Sequence, residues 1–228
     1  MKLIITLSLL FIAVNILVSC KKTDAPTPVS PAPVSRDYSA SIKDKSWLGE
    51  ITYTGKTPEY YSVYFKADGT LLWSQFSGDY PGHWAIKDKE LTMTFDGNTV
   101  AIKATITDDD KLSNISDNTN SYEVNNGALL SNPNITLDNT TRVGVLSPLP
   151  IQMIFMPGAK VEVQLAGVVS SNQAIYTRTA AGATLRFTAY YLVLGTSINF
   201  FGVITPTGEI RGTASGPNGD TPWYLLKL

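Results

Sequence analysis

Apolar and polar residues alternate along most of the chain beyond residue 40. In the segment 91–95, for example, Leu91, Met93 and Phe95 are separated by threonines. A period of two puts the apolar side chains of a strand on one face, which is typical of an antiparallel sheet with one packed and one wet face. No segment in this part of the chain sustains the helical period of 3.6. The pattern therefore predicts an all-β protein.

Turn motifs separate the predicted strands at short intervals. Typical examples are Lys66-Ala67-Asp68-Gly69, Asp96-Gly97-Asn98 and Gly216-Pro217-Asn218-Gly219. Asp, Asn and Gly supply the positive φ values that tight hairpins need. A meander of many short strands avoids unpaired edges by closing into a barrel. Because the predicted inward side chains are large, we expect a filled interior.

The same order of strands and turns occurs twice, in residues 41–125 and in residues 136–228. The run from Tyr61 to Phe65 matches the run from Ile151 to Phe155, and Trp84 is matched with Ala174. We predict two tandem, duplicated small antiparallel β-barrels or sandwiches, in domains 38–128 and 129–228, packed end to end. One continuous larger barrel is the alternative, and a single β-domain of similar-looking strands also remains open.

The N-terminus has the features of an export signal. Lys2 is followed by an apolar segment of about 15 residues, which is within the range of signal peptides and short for a membrane span. The run Leu17-Val18-Ser19-Cys20 resembles a bacterial lipobox. That resemblance implies removal of residues 1–19 and lipidation of Cys20, which then anchors the chain to a membrane.

Residues 20–37 are rich in proline and small polar residues. Such a composition favours extended chain, which at about 3.1 Å per residue reaches roughly 50 Å. We expect a tether here rather than a folded element.

The overall composition limits the classes of partner and of chemistry. Cys20 is the only cysteine, so the folded part has no disulfide. The formal net charge is −1, and 16% of residues are charged. This balance argues against nucleic acid or an anionic membrane surface as the main partner. We expect a monomer.

Candidate catalytic and metal-binding residues are few. His83 is the only histidine, no Gly-x-Ser-x-Gly motif occurs, and zinc would need several His or Cys ligands. Asp108-Asp109-Asp110 could attract calcium, but a solvated turn is the preferred interpretation. Scattered glutamates leave a glycoside-acting enzyme open as an unfavoured alternative. We predict no catalysis, no cofactor and no metal.

Aromatic residues give the better indication of binding. Tyr60, Tyr64, Tyr80 and Trp84 cluster around the first hairpins, and exposed rings stack well on sugars and apolar ligands. The competing interpretation is that this face packs on the second repeat. A second candidate is the apolar hairpin 189–195 with Tyr190, Tyr191 and Leu192, which must cover its own barrel, cover the first repeat or bind a partner. Burial between the repeats is the favoured outcome.

A lipobox, a proline-rich tether and Trp47-Leu48-Gly49 opening a meander with Asp-Gly hairpins together resemble the lipocalin-like lipoproteins of Bacteroidota-type bacteria. The resemblance implies anchoring at the outer membrane, on its periplasmic face or at the cell surface. The expected function is a non-catalytic module that binds a glycan or a small apolar molecule. The alternative is a protein–protein interaction or scaffold role in the envelope.

Overall fold

Strands account for most of residues 36–53, 57–119, 122–131, 135–179 and 182–227, which are the residues that the computed structural model describes. They form two antiparallel sheets within one compact unit, residues 37–228. The all-β prediction is confirmed. The predicted signal segment 1–19, Cys20 and residues 21–35 of the tether lie outside the described residues. Within the described part of the chain, no helix is long and apolar enough to cross a bilayer.

The first sheet is an eight-stranded meander in which the last strand returns to the first. It curls until its two end strands lie side by side. Its strands are β1 (Lys45–Tyr53), β2 (Glu59–Phe65), β3 (Thr70–Gln75), β4 (Gly78–Lys87), β5 (Glu90–Phe95), β6 (Ala101–Ile106), β7 (Leu112–Asp117) and β8 (Tyr122–Ser131). The alternating apolar residues fill the inside of this curl, because curling brings the inner faces of all its strands together.

The second sheet follows the same path along the chain. Its last strand pairs with its first, and the β13–β14 segment pairs with β11 at one end and with β15 at the other. The strands are β9 (Thr140–Leu146), β10 (Leu149–Met156), β11 (Lys160–Leu165), β12 (Val168–Val169), β13 (Ala174–Ile175), β14 (Thr177–Thr179), β15 (Thr184–Tyr191), β16 (Thr196–Ile204), β17 (Ile210–Gly216) and β18 (Gly219–Lys227).

The two sheets share their strand register. Val63 lies opposite Trp47 and Trp73 in the first sheet, and Met153 lies opposite Arg142 and Val163 in the second. These are the equivalences that the sequence match predicts.

The register differs from the sequence match at the fourth strand, where Trp84 corresponds to Tyr176 rather than to Ala174. The backbone N–H of Trp84 donates to Gly69 O at 2.8 Å, and that of Tyr176 donates to Ala159 O at 2.8 Å. Each ring also meets a phenylalanine edge to face, Trp84 against Phe65 and Tyr176 against Phe155. The sequence match is therefore displaced by two residues here.

The sheets meet through their outer faces rather than end to end. Leu48 of β1 is buried with Phe201 and Val203 of β16, and Tyr60 and Phe76 pack against this cluster. Each sheet keeps its own core, so the chain does not form one larger barrel. The junction is a third, smaller apolar cluster between two separate cores.

Candidate functional site

One end of the first sheet is closed by the short helix α1 (Tyr38–Ile42). The side chain of Ile42 is completely buried in the first core. The Tyr38 hydroxyl donates to Asp108 Oδ1 at 2.7 Å, and Lys89 Nζ lies 5.5 Å from the centroid of the Tyr38 ring. The helix is thus fixed to the β4–β5 and β6–β7 turns, and its Ile42 side chain closes this end of the first core.

The opposite end of the same sheet is open. Here a cavity of about 200 Å³ extends inwards between the ends of β1, β3 and β5 and the starts of β4 and β6. We call it the aromatic pocket. Its lining residues are Ile51, Tyr53, Trp73, Gln75, Tyr80, Phe95, Asn98, Val100 and Ile102.

Aromatic rings form the floor and one wall of the aromatic pocket. The ring of Trp73 stacks on that of Tyr61, with a centroid distance of 4.1 Å and an interplanar angle of 7°. The Phe95 ring meets Trp73 edge to face at 5.8 Å. These contacts hold Trp73 in one orientation, so its position does not depend on a ligand.

A chain of hydrogen bonds joins the polar atoms of the pocket. The indole N–H of Trp73 donates to Gln75 Oε1 at 2.8 Å, and Gln75 Nε2 donates to the hydroxyl of Tyr53 and to Ser77 Oγ, both at 2.7 Å. Ser77 Oγ and the Tyr80 hydroxyl lie 3.0 Å apart. The buried amide of Gln75 therefore has partners on both its oxygen and its nitrogen, and it orients both tyrosines at the rim.

The described lining of the aromatic pocket is uncharged, since none of its residues carries an ionised side chain. Burial raises the pKa of Tyr53, and the nearby Glu59 raises it further, which outweighs the opposing effect of the hydrogen bond from Gln75. Tyr53 is therefore a neutral phenol at physiological pH. Such a lining favours an uncharged ligand, and its described residues include no facing carboxylates of the kind that glycoside hydrolysis uses.

The corresponding end of the second sheet is filled. The longer β15–β16 hairpin places Ala189 and Tyr191 in the second core, where neither is exposed. Next to them, the Phe187 and Phe200 rings stack at 4.8 Å and Trp223 meets Phe200 edge to face at 5.6 Å. The short β5–β6 turn of the first sheet has no such extension, and this difference leaves the aromatic pocket open.

The structure separates the four aromatic residues that the sequence groups together. Tyr80 lines the aromatic pocket and is 38% exposed. Trp84 is buried in the first core, where its indole N–H donates to Lys66 O at 3.0 Å, and it does not line the aromatic pocket. Tyr60 packs against the junction cluster, and Tyr64 is half-buried on the outer face of β2. Tyr60 therefore packs on the second sheet, which was the alternative to ligand binding for this face.

The apolar hairpin is not buried between the two sheets as expected. Tyr191 lies in the second core, whereas Tyr190 is 39% exposed and Leu192 is 68% exposed. Leu192–Leu194 forms a single 3-10 turn at the tip. The hairpin thus covers its own sheet and projects its tip into solvent.

His83 and the acidic turn 108–110 lie at the surface next to groups of opposite charge. His83 Nε2 lies 3.5 Å from Asp96 Oδ1, and both side chains are more than half exposed. In the acidic turn, Asp108 pairs with Lys89 and Asp109 pairs with Lys111. Within the described ranges, no group of three or more His, Cys, Asp or Glu residues could hold a metal ion.

Sequence reasoning missed most of the pocket because its residues resemble core residues. Trp73 and Phe95 occupy inward positions of the alternating pattern, like the residues buried deeper in the same strands. Gln75 was the available signal, since a polar residue at an inward position after Leu71 and Trp73 indicates a core that ends or opens there.

No protein-family model matches this sequence, and no curated protein matches it significantly. The case for function therefore depends on the geometry of the chain itself.

Proposed function

We propose that this protein is a non-catalytic, lipid-anchored binding module whose aromatic pocket holds a glycan residue or a small apolar molecule. The observation that carries the proposal is the contrast between the two sheets. One end of the first sheet keeps an uncharged, ring-lined cavity, while the same end of the second sheet is filled by its own side chains.

The dimensions and chemistry of the pocket favour a ligand of about one ring. A volume of about 200 Å³ lies below the roughly 300–1,000 Å³ of pockets that enclose drug-sized molecules. Its walls are apolar, and polar groups of Tyr53, Tyr80 and Asn98 lie among the lining residues. A sugar ring has the matching combination of an apolar C–H face and hydroxyl groups at its edge. A small aromatic molecule would pack against the apolar walls equally well.

The proposal includes duplication of domains 38–128 and 129–228. The shared strand register and the matching Trp84 and Tyr176 contacts support a common origin for the two sheets. In this view one copy retained an open end for binding, and the other gained a longer hairpin that filled it. Lipidation of Cys20 at the outer membrane, as in lipocalin-like lipoproteins, would hold the module at the envelope.

Indole resonances allow a direct test of ligand binding. The indole N–H of Trp73 lies in the pocket, whereas that of Trp223 donates to Phe201 O in the second sheet. Titration with neutral monosaccharides, short glycans and small aromatic molecules should shift the NMR resonance of Trp73 and leave that of Trp223 in place. If no compound of this panel shifts the Trp73 resonance, the binding role is wrong.

A matched pair of tyrosine variants tests the location of the site. Tyr80→Ala removes a rim ring and should weaken binding about tenfold, since an aromatic contact contributes on the order of 1 kcal/mol. Tyr224→Ala removes an exposed ring of the second sheet, 44% exposed against 38% for Tyr80, and should leave affinity unchanged. Equal losses in both variants would place the ligand elsewhere.

A further inference from the structure

The tip of the β15–β16 hairpin is the most exposed apolar segment of the described chain. Leu192, Val193 and Leu194 are 68%, 83% and 53% exposed. Three consecutive aliphatic side chains in water are unfavourable, because each loses the free energy that burial would provide. These exposed side chains would be stabilised by a binding partner that covers the convex tip.

The end of the second sheet that carries this tip is almost free of charge. When β12–β14 is counted as one strand, the first, third, fifth and seventh turns of this meander lie at the same end. These turns are the segments 146–150, 165–173, 189–197 and 215–221. Asp220 is the only charged residue in all four. Leu149, Val169 and Tyr190 of these turns are also exposed apolar or aromatic residues. The tip is therefore the centre of an extended uncharged surface.

Backbone groups on both sides of the tip are hydrogen-bonded within the protein. Leu192 N donates to Ser171 Oγ at 2.7 Å, and Tyr190 N donates to Asn172 Oδ1 at 2.9 Å. Gly195, in the left-handed conformation at φ 59°, closes the turn by donating to Leu192 O at 3.1 Å. Each of these hydrogen bonds lowers the cost of moving the tip out of water, since an unpaired backbone group is costly in an apolar medium.

We propose that the tip Leu192–Leu194 enters the interfacial region of a lipid bilayer and gives the anchored protein a second membrane contact. This inference rests on the lipid anchoring in the proposed function. The composition of residues 20–37 predicts a reach of roughly 50 Å, which would keep the membrane accessible to the folded part. The tip then inserts its aliphatic side chains, and Tyr190 beside it occupies the boundary between headgroups and acyl chains.

The chemistry of this surface favours lipid over a protein partner. Protein interfaces use charged residues to steer and orient the partner. Here a convex aliphatic tip is surrounded by turns in which Asp220 alone is charged. A bilayer excludes charge from its interior and requires no complementary shape, so it matches both properties.

A fluorescent probe at Val193 provides the test. Cys20 is the only native cysteine, so the full chain with Cys20→Ser and Val193→Cys can be labelled at one position with an environment-sensitive dye. The control carries the dye at Thr207, an exposed residue in the β16–β17 turn at the other end of the second sheet. Both chains are added to phosphatidylethanolamine and phosphatidylglycerol vesicles, with and without lipids that carry a quencher in the upper acyl chain.

We expect a blue shift and quenching at Val193, with neither at Thr207. Adding Leu192→Ser and Leu194→Ser should lower the inserted fraction at least about tenfold, since each buried leucine contributes about this factor or more.

Ile175→Ser, which replaces an exposed apolar residue away from the tip, should leave the Val193 signal unchanged. Residues 1–19 remain present in all these chains, so any attachment that they cause is common to every sample.

The outcomes separate this inference from the anchoring proposal. If the Val193 probe does not respond to the vesicles, or if both probes respond equally, tip insertion is wrong; the anchoring proposal is unaffected, because these chains lack Cys20. A Val193 probe that is silent with lipid but shielded by an envelope protein overturns the inference in favour of a protein partner. Failure of the natural chain to incorporate lipid at Cys20 would refute the anchor, whatever the tip does.

Discussion

Arg186 of the second sheet donates a hydrogen bond to Asp79 of the first, with 2.9 Å between Nη2 and Oδ1. The same guanidinium donates to the carbonyl oxygens of Gln75, Phe76 and Gly78 in the β3–β4 turn. It also lies 4.5 Å from the centroid of the Phe201 ring. One side chain therefore connects the junction cluster to the turn that leads into the aromatic pocket.

Replacing Arg186 should destabilise the junction between the sheets. Arg186→Met keeps the length of the side chain but leaves partly buried carbonyl groups without a donor, which should cost about 2–4 kcal/mol of the free energy of unfolding. Urea denaturation followed by tryptophan fluorescence measures this loss. Because the β3–β4 turn carries Ser77 next to the pocket, ligand affinity should fall as well.

Lys103→Met is the matched control for this change. Lys103 pairs with Glu90 at 3.1 Å, but both side chains are more than half exposed, so the loss should be below about 1 kcal/mol. If Arg186→Met costs no more than Lys103→Met, the guanidinium does not hold the sheets together.

Gly49 determines where the ring of Tyr61 lies. A Cβ atom at position 49 would come within 2.4 Å of the Tyr61 hydroxyl oxygen and within 2.6 Å of its ring. Gly49→Ala should therefore displace Tyr61 and, through the ring stack, Trp73 at the pocket floor. We expect a loss of about 1–3 kcal/mol in stability together with weaker ligand binding and a shifted Trp73 indole resonance.

The effect of Gly49→Ala can be separated from the general effect of adding a methyl group to a strand. Gly216→Ala is suitable, because its Cβ would lie 3.5 Å from Ile198 Cγ1, an ordinary contact. Its stability should change by less than about 1 kcal/mol. A Trp73 resonance that stays in place in Gly49→Ala would contradict the coupling.

Alternation and turn chemistry suffice to predict the strands, but not which end of a sheet stays open. Inward residues such as Val63 and Met153 follow directly from the period of two, and their register repeats in both sheets. The aromatic pocket depends instead on the path of a hairpin. Tyr191 could have pointed into either sheet or into solvent, and only tertiary packing places it in the second core. The irregular fourth strand likewise caused the sequence match to pair Trp84 with Ala174 instead of Tyr176, since a bulge or bend changes the number of residues between two equivalent positions.

Stability should fall as pH rises above the ordinary tyrosine pKa. Burial raises the pKa of Tyr61 and Tyr191, and it raises the pKa of Tyr176 to about 12. Above pH of about 10 the unfolded chain releases phenolic protons that the folded chain retains, so the free energy of unfolding decreases with pH. Urea denaturation between about pH 8 and pH 11 should show this slope.

Tyr191→Phe isolates the contribution of one phenol to this pH dependence. Its hydroxyl is buried without a hydrogen-bond partner among the described residues, so removing it should leave stability at neutral pH equal or slightly higher. The decrease at alkaline pH should become smaller. Tyr176→Phe should instead lose about 1 kcal/mol at neutral pH, because the Tyr176 hydroxyl donates to Asp138 at 2.9 Å. Identical behaviour of the two variants would contradict these assignments.

Arg142 occupies the position in the second sheet that Trp47 occupies in the first. The residue is 2% exposed, and its Nη1 donates to the carbonyl oxygen of Gly208. Its Nε has no hydrogen-bond partner among the described residues, and burial lowers the pKa of the guanidinium. The free-energy cost of desolvating a buried charge with incomplete hydrogen bonding is larger than the stabilisation that its packing provides.

Arg142→Met should therefore unfold at an equal or higher urea concentration than the natural chain. Methionine fills a similar length without a charge, and replacing a poorly paired buried charge by an apolar residue is neutral or stabilising by about 1–4 kcal/mol. Arg142→Ala is the control for volume, since it removes the charge but leaves a cavity, and it should cost about 2 kcal/mol or more. If Arg142→Met is as destabilising as Arg142→Ala, the guanidinium contributes to stability through its hydrogen bonds. The second sheet would then need a charged side chain at the position where the first sheet has Trp47.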